Sequence, residues 1–185
     1  MRFSQILLYP VALTYGLIVW VRNLLFDAGV LRSVSFSFPV ISVGNLSAGG
    51  TGKTPHIEYL VRLLSPSKKV VTLSRGYRRK TTGFVLADET SDARTIGDEP
   101  LQFFKKFPFI HVAVDQKRVR GIRMIKEKFP ETEVVLLDDA FQHRYVNPGK
   151  SILLTDYRTL FYEDHMLPSS GNVHAGKMGV VRITE

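Results

Sequence analysis

PVISVGNLSAGGTGKTP, residues 39–55, carries the pattern that decides how this chain reads. Residues 39–44 are a short apolar run of the kind made by a strand covered on both faces. A glycine-rich turn follows, and Thr54 to Leu64 has the spacing of a helix. Gly49, Gly50 and Gly52 permit backbone conformations that a Cβ forbids, so successive N–H groups can turn toward one anion. The N-terminus of the helix adds the positive end of its dipole. Strand, glycine turn and helix in this order are the context of a phosphate-binding P-loop. Gly49, Gly50, Thr51, Gly52, Lys53 and Thr54 would surround the phosphates of ATP. Lys53 is expected to reach the β- and γ-phosphates, and the Thr54 hydroxyl to sit on Mg²⁺. Ser47 stands where the general consensus has Gly.

Outward from this stretch, short β-rich runs alternate with helical ones. Strands are expected at 39–44, 69–74, 83–87, 109–114, 133–138 and 151–156. Helices are expected at 54–64, 99–107 and 116–129, the last ended by Pro130. The alternation predicts an α/β fold with a mostly parallel sheet flanked by helices.

The first 35 residues differ from the rest. Phe3 to Val21 carries no charge, which is near the minimum for a membrane-spanning helix. Pro10, Gly16, Ser4, Gln5 and Thr14 weaken that reading. An interfacial helix fits as well, with Trp20, Tyr9 and Tyr15 at headgroup level and Arg2, Arg22 and Arg32 on lipid phosphates. A buried terminal helix and a cleaved signal peptide are the other readings, although no A-x-A site follows the apolar run.

Length and charge narrow the options. The chain has 185 residues, room for one ordinary domain and too little for two large ones. It has no cysteine, which removes disulfides, cysteine–zinc sites and thiol nucleophiles. Its net charge of +8 favours anionic partners. The excess is uneven: Tyr59 to Ala87 holds seven basic residues and no acidic one, and a second basic stretch runs from Lys105 to Lys128. Nucleic acid is not the expected partner, because no recognition motif accompanies the charge.

Further candidates lie after the predicted strands. Residues 134–139, VVLLDD, form an apolar run ending in Asp138 and Asp139, the pattern that aims a carboxylate at a metal beside the P-loop. Asp98 and Glu99, before Pro100, read either as a helix N-cap with a dipole-favouring neighbour or as carboxylates for proton transfer. Arg75 and Tyr77 follow one strand and Arg118 another, so they belong on the P-loop rim, where arginine can hold phosphate. Gln142, His143 and Arg144 follow the strand of the paired aspartates and are expected to line the same cleft.

Taken together, VGN (43–45) running into GGTGKTP, SRGY (74–77), GDEP (97–100), VDQKRVRGI (114–122), LLDDAFQHR (136–144) and LLTDY (153–157) resemble the tetraacyldisaccharide 4′-kinases. The resemblance runs from about residue 5 to 170. In that family Ser or Thr is usual at the position of Ser47.

It implies transfer of the γ-phosphoryl group of MgATP to the 4′-hydroxyl of a tetraacylated disaccharide 1-phosphate, giving lipid IV-A in lipid A synthesis. The implied place is the cytoplasmic face of the bacterial inner membrane, with the N-terminal helix docked on that anionic surface. By the same resemblance Asp98 is the catalytic base, assisted by Lys53 and Asp139. Thr54, Asp138 and Glu99 serve the metal. Arg75, Tyr77, Arg118, Gln142 and His143 serve substrate and phosphate. Residues 1–35 then form the membrane-associating helix and 36–185 the P-loop kinase core.

Three departures stand out. Ala140 replaces a Gly, His174 falls near an expected Arg, and the chain stops at Glu185, before the second lobe that carries a His partner for the catalytic Asp. The resemblance therefore implies a partial chain, and a non-catalytic, membrane-attached nucleotide-binding fragment is the alternative.

Overall fold

The computed structural model describes residues 3–45, 52–139, 144–155 and 178–182. In chain order the elements are α1 (Phe3–Asp27), β1 (Val40–Asn45), α2 (Lys53–Leu64), β2 (Val70–Ser74), β3 (Val85–Leu86), α3 (Asp98–Lys106), β4 (His111–Val114), α4 (Arg118–Lys128), β5 (Val134–Asp138), β6 (Lys150–Thr155) and β7 (Met178–Arg182). The strands form one seven-stranded sheet in the order β3-β4-β2-β5-β1-β6-β7. Every pairing is parallel except that of β3 with β4.

The apolar runs become strands because both faces of the sheet are covered. Every residue of β2 and β5 is buried. Their neighbours alternate between two cores. Val70, Val134 and Leu136 join Ile57, Val61 and Phe103 of α2 and α3 on one face. Val71, Leu73, Val135 and Leu137 join Ile122 and Ile125 of α4 on the other. At about 25 cal/mol per Å² of apolar surface, these two layers are the main stabilising term of the fold. Gly121 lets α4 approach closely, since a Cβ there would lie 2.8 Å from Leu73.

Two expectations need correction. The run 83–87 is a strand only at Val85–Leu86, half-buried, and it lies antiparallel at the sheet edge. With one neighbouring strand and incomplete cover, little holds the rest of the run in the ladder. Strand β7 was not expected. Its residues, MGVVR, are too mixed to announce a strand, and pairing with Ser151–Thr155 of β6 is what defines it.

The N-terminal stretch does form a helix, and no described helix is long and apolar enough to cross a membrane. The described side chains of α1 are mostly exposed. Leu17, Ile18, Trp20, Val21 and Leu24 are each 40–61% exposed, and Phe26 alone is buried.

Candidate phosphate and metal site

Strand order places the candidate residues on one rim. β5 lies between β1 and β2, and Val43 of β1 is level with Asp138 of β5. The chain leaving β1 toward the glycine turn therefore starts beside the paired aspartates, outside the carboxyl ends of the strands where open α/β sheets bind ligands. Ser47, Gly49, Gly50 and Thr51 lie outside the described residues, as do Gln142 and His143. Gly52 is described and has φ of 75°, the left-handed conformation glycine adopts without penalty, immediately before α2.

Lys53 opens α2, and its ammonium donates to Asn45 Oδ1 and to Asp139 Oδ1, both at 2.9 Å. An ammonium carries three N–H donors, so these two bonds hold it in place and leave one for a phosphate oxygen. Asp139 itself has φ of 52°, uncommon for a residue with a Cβ, and its side chain is 63% exposed. Next to Lys53, the Thr54 hydroxyl donates to Glu99 Oε1 at 3.3 Å. That bond joins the start of α2 to the start of α3.

Asp138 is the buried member of the acidic pair, 2% exposed. Its Oδ1 has no hydrogen-bond partner among the described residues. Burial pushes its carboxyl up to about 7, helped by the negative charges of Glu99 and Asp139 and opposed by Lys53 and Arg118. A buried carboxyl within the charge field of two further acids is stabilised by protonation or by a nearby cation, although no group of three acidic or histidine side chains among the described residues is arranged to hold a metal ion. The donor set of Asp138, Glu99 and the Thr54 hydroxyl is all oxygen and fits Mg²⁺.

Arg118 faces the same cluster from α4. It is 3% exposed, and burial lowers its pKa to about 10 against the raising effect of Asp138 and Asp139. One NH group donates to the Asp115 carbonyl at 2.6 Å and the other to the Asp138 carbonyl at 3.3 Å, while Nε has no described partner. A buried guanidinium with a spare donor is suited to a phosphate oxygen.

Asp98 is the first residue of α3, and Gly97 is the cap, so the capping reading of Asp98 does not hold. Its carboxylate is exposed and has no hydrogen-bond or ion-pair partner among the described residues. Gly97 has φ of 94°, and a Cβ there would stand 3.0 Å from the Tyr77 carbonyl. Gly76, at φ of 71°, presses on the Ile96 carbonyl in the same way. These two glycines bring the Arg75–Tyr77 loop against the start of α3, which is why residues from two distant motifs share the rim. Tyr77 is 71% exposed there, with the Arg78 guanidinium 5.2 Å from its ring centroid.

Arg144 does not join the described rim residues. Its guanidinium is held by the last turn of α1, on Asp27 and the Asn23 carbonyl. Two other residues had no role assigned in the sequence. Asn45, the polar end of an apolar strand, steadies Lys53. Asp115 is fully buried just after β4, and its carboxylate accepts from the Lys117 N–H and from Nε and one terminal NH₂ of Arg120. An acid at a strand end, followed three and five residues later by arginines, was the available signal.

Comparison with known proteins agrees with this geometry. The family model for tetraacyldisaccharide-1-P 4′-kinase matches residues 4–175. Tetraacyldisaccharide 4′-kinase of Flavobacterium johnsoniae is 54% identical over 182 residues, covering 98% of this chain and 53% of the relative. That of Bacteroides thetaiotaomicron is 60% identical over 163 residues, covering 88% and 43%. The chain thus spans about half the length of these relatives. The crystal structure of LpxK from Aquifex aeolicus in complex with ATP superposes with a TM-score of 0.74 at 40% identity, covering 82% of this chain and 49% of that one. With the family model matched over most of its length and the sheet shared with a solved relative, the chain belongs to the tetraacyldisaccharide-1-P 4′-kinase family.

Proposed function

We propose that this chain carries the nucleotide half of a lipid kinase that moves the γ-phosphoryl group of MgATP to the 4′-hydroxyl of a tetraacylated disaccharide 1-phosphate. The observation that carries the reading is the joining of Lys53 to Asp139 and of Thr54 to Glu99, together with a buried, unpartnered Asp138 oxygen that feels the charges of Lys53, Glu99 and Asp139. Phosphoryl transfer needs charge stabilisation and alignment more than covalent chemistry, and this rim supplies both.

Lys53 and Arg118 stabilise negative charge on the phosphates. Asp138, Glu99 and the Thr54 hydroxyl would hold Mg²⁺, which would offset the negative charge of the phosphates. In this reading Asp98, exposed and without a described partner, takes the proton of the acceptor hydroxyl. Arg75 and Tyr77, on the loop packed against Gly97, would contact the acceptor in this reading. In chain order, residues 1–35 are the membrane-associating part and 36–185 the nucleotide-binding core.

The exposed apolar face of α1, Leu17, Ile18, Trp20, Val21 and Leu24, supports docking on an anionic bilayer surface. In a Gram-negative cell that surface is the cytoplasmic face of the inner membrane. A water-soluble kinase core meets an acylated substrate only at such an interface.

The test is transfer of labelled phosphate from MgATP to tetraacyldisaccharide 1-phosphate in detergent micelles. Labelled product, reduced roughly 10²–10⁴-fold in Asp98→Ala with nucleotide affinity intact, supports the reading. Nucleotide binding with no labelled lipid would instead favour a non-catalytic nucleotide-binding fragment. Absence of nucleotide binding would overturn both.

A further inference from the structure

We propose that Arg144 is a positioning residue that locks α1 to the segment leaving the aspartate strand, so that the lipid-facing helix and the phosphate site turn as one body. The proposal rests on the nucleotide and lipid-surface reading above, and concerns how its two parts are held together.

Arg144 lies six residues beyond Asp138 and one turn of α1 meets it from three sides. One NH donates to Asp27 Oδ1 at 2.5 Å, the other to the Asn23 carbonyl at 3.3 Å, and the guanidinium lies 5.0 Å from the Phe26 ring centroid. A cation at the carbonyl end of a helix also meets the negative end of its dipole.

The backbone around Arg144 is tied down as well. The Arg144 carbonyl accepts the Ser33 hydroxyl, the Tyr145 carbonyl accepts the Val34 N–H at 2.8 Å, and Asn147 N–H donates to the Val34 carbonyl at 2.9 Å. Tyr145 packs edge-on to Phe26 with centroids 5.0 Å apart. An exposed ion pair alone contributes little. Here the same guanidinium joins a carboxylate, a helix-end carbonyl and an aromatic face, a combination that fixes orientation as well as distance.

The consequence is geometric. Trp20, Leu17, Ile18 and Leu24 face outward on α1, whereas Phe26 and Asp27 face Arg144. A rigid joint between them sets the angle at which the phosphate rim stands over any surface that α1 lies on. A loose joint would let the rim swing, and productive encounters with an anchored acceptor hydroxyl would fall even with ATP fully bound.

Trp20 is the one tryptophan of the chain, which makes the joint measurable. Time-resolved energy transfer from Trp20 to bound mant-ATP is read on the 185-residue chain, in solution and on phosphatidylglycerol vesicles, alongside amide exchange over residues 23–31. The expected result is one narrow distance in the natural chain. Arg144→Ala should bind mant-ATP with unchanged affinity, show a broadened distance distribution and lose exchange protection at 23–31. Arg144→Lys, which keeps the charge but not the fork, should fall between.

A narrow, unchanged distance together with unchanged protection in Arg144→Ala would overturn the proposal. If Arg144→Ala does not fold, Arg144→Lys and Asp27→Asn carry the same test, and natural behaviour in both overturns it. If the natural chain fails to bind mant-ATP, the nucleotide reading falls, while amide exchange still decides the role of Arg144.

Discussion

The two ends of the same parallel strands are finished in opposite ways. At the amino ends the charged groups are matched, although the buried Thr132 hydroxyl has no described partner. Glu133, just before β5, takes the Lys68 ammonium at 2.8 Å and the Lys69 N–H at 3.0 Å, and Lys126 donates to the carbonyls of Pro130 and Thr132. At the carboxyl ends the matching is left incomplete. Asp138 Oδ1 and Arg118 Nε are buried without described partners, Asp139 holds a positive φ, and Gly97 sits in a conformation open only to glycine. A buried unpaired charge is costly, and strain of this kind persists only where the surrounding structure enforces it. The lesson is that charged groups are paired at one end of the sheet and left partly unpaired at the other.

Substitutions should separate the two ends. The largest effect is expected for Lys53→Ala, with a loss of roughly 10–100-fold in nucleotide affinity by fluorescence titration, since a hydrogen bond to a charged group is worth about 1.5–3 kcal/mol. An unchanged affinity would show that the rim does not hold phosphate. Gly97→Ala comes next. Its strained φ and the nearby Tyr77 carbonyl should cost about 1–3 kcal/mol in urea unfolding, and the Arg75 loop should shift away from α3. Asp138→Asn should move stability the other way, raising it by about 1 kcal/mol at pH 8 while Mg²⁺-dependent nucleotide binding is lost. A stability loss in that variant would mean that the carboxylate is satisfied after all.

Acid should probe the joint behind Arg118. Burial pushes the Asp115 carboxyl up, but the Arg120 guanidinium, the Lys117 N–H and the charge of Arg79 outweigh it and hold the group below the usual carboxylate range. Its contribution to stability is therefore complete above the unfolded value of about 3.9 and is lost as pH falls through the lower folded one. Asp115→Asn should flatten that acid limb in pH-dependent thermal unfolding. The smallest effect is expected at the amino end, where Glu133→Gln exchanges one exposed pairing for another and should leave both nucleotide affinity and cooperativity as they were.

Much of this was legible beforehand, for identifiable reasons. The buried strands β2 and β5 announce themselves as continuous apolar runs because both faces are covered. α3 and α4 are flagged by Pro100 and Pro130 at their ends. Lys53, Thr54, Asp138 and Glu99 drew attention in the sequence because each stands after a strand or at a helix start, and the structure links Lys53 to Asp139 and Thr54 to Glu99. Strand β7 was not, because MGVVR has no alternation or length to distinguish it from a loop, and only its partner β6 makes it a strand. Asn45 and Asp115 had no chemistry of their own to announce. They act by steadying Lys53 and the start of α4, relations between residues that lie 8 and 5 positions from their partners.

The sequence by itself determined the glycine-rich motif, the alternation of strands and helices, and the residue types after the strands at the carboxyl rim. These are local matters, set by glycine's freedom, by side-chain period and by the charge each group carries. The tertiary structure decided that β5 lies between β1 and β2, which puts Asp138 level with Val43 beside the phosphate motif. It also decided that Arg144 turns to α1, where sequence reading had placed it in the cleft. The reason is physical. Strand order and side-chain partners depend on which faces must be buried together, and that is a property of the packed chain and not of any one segment.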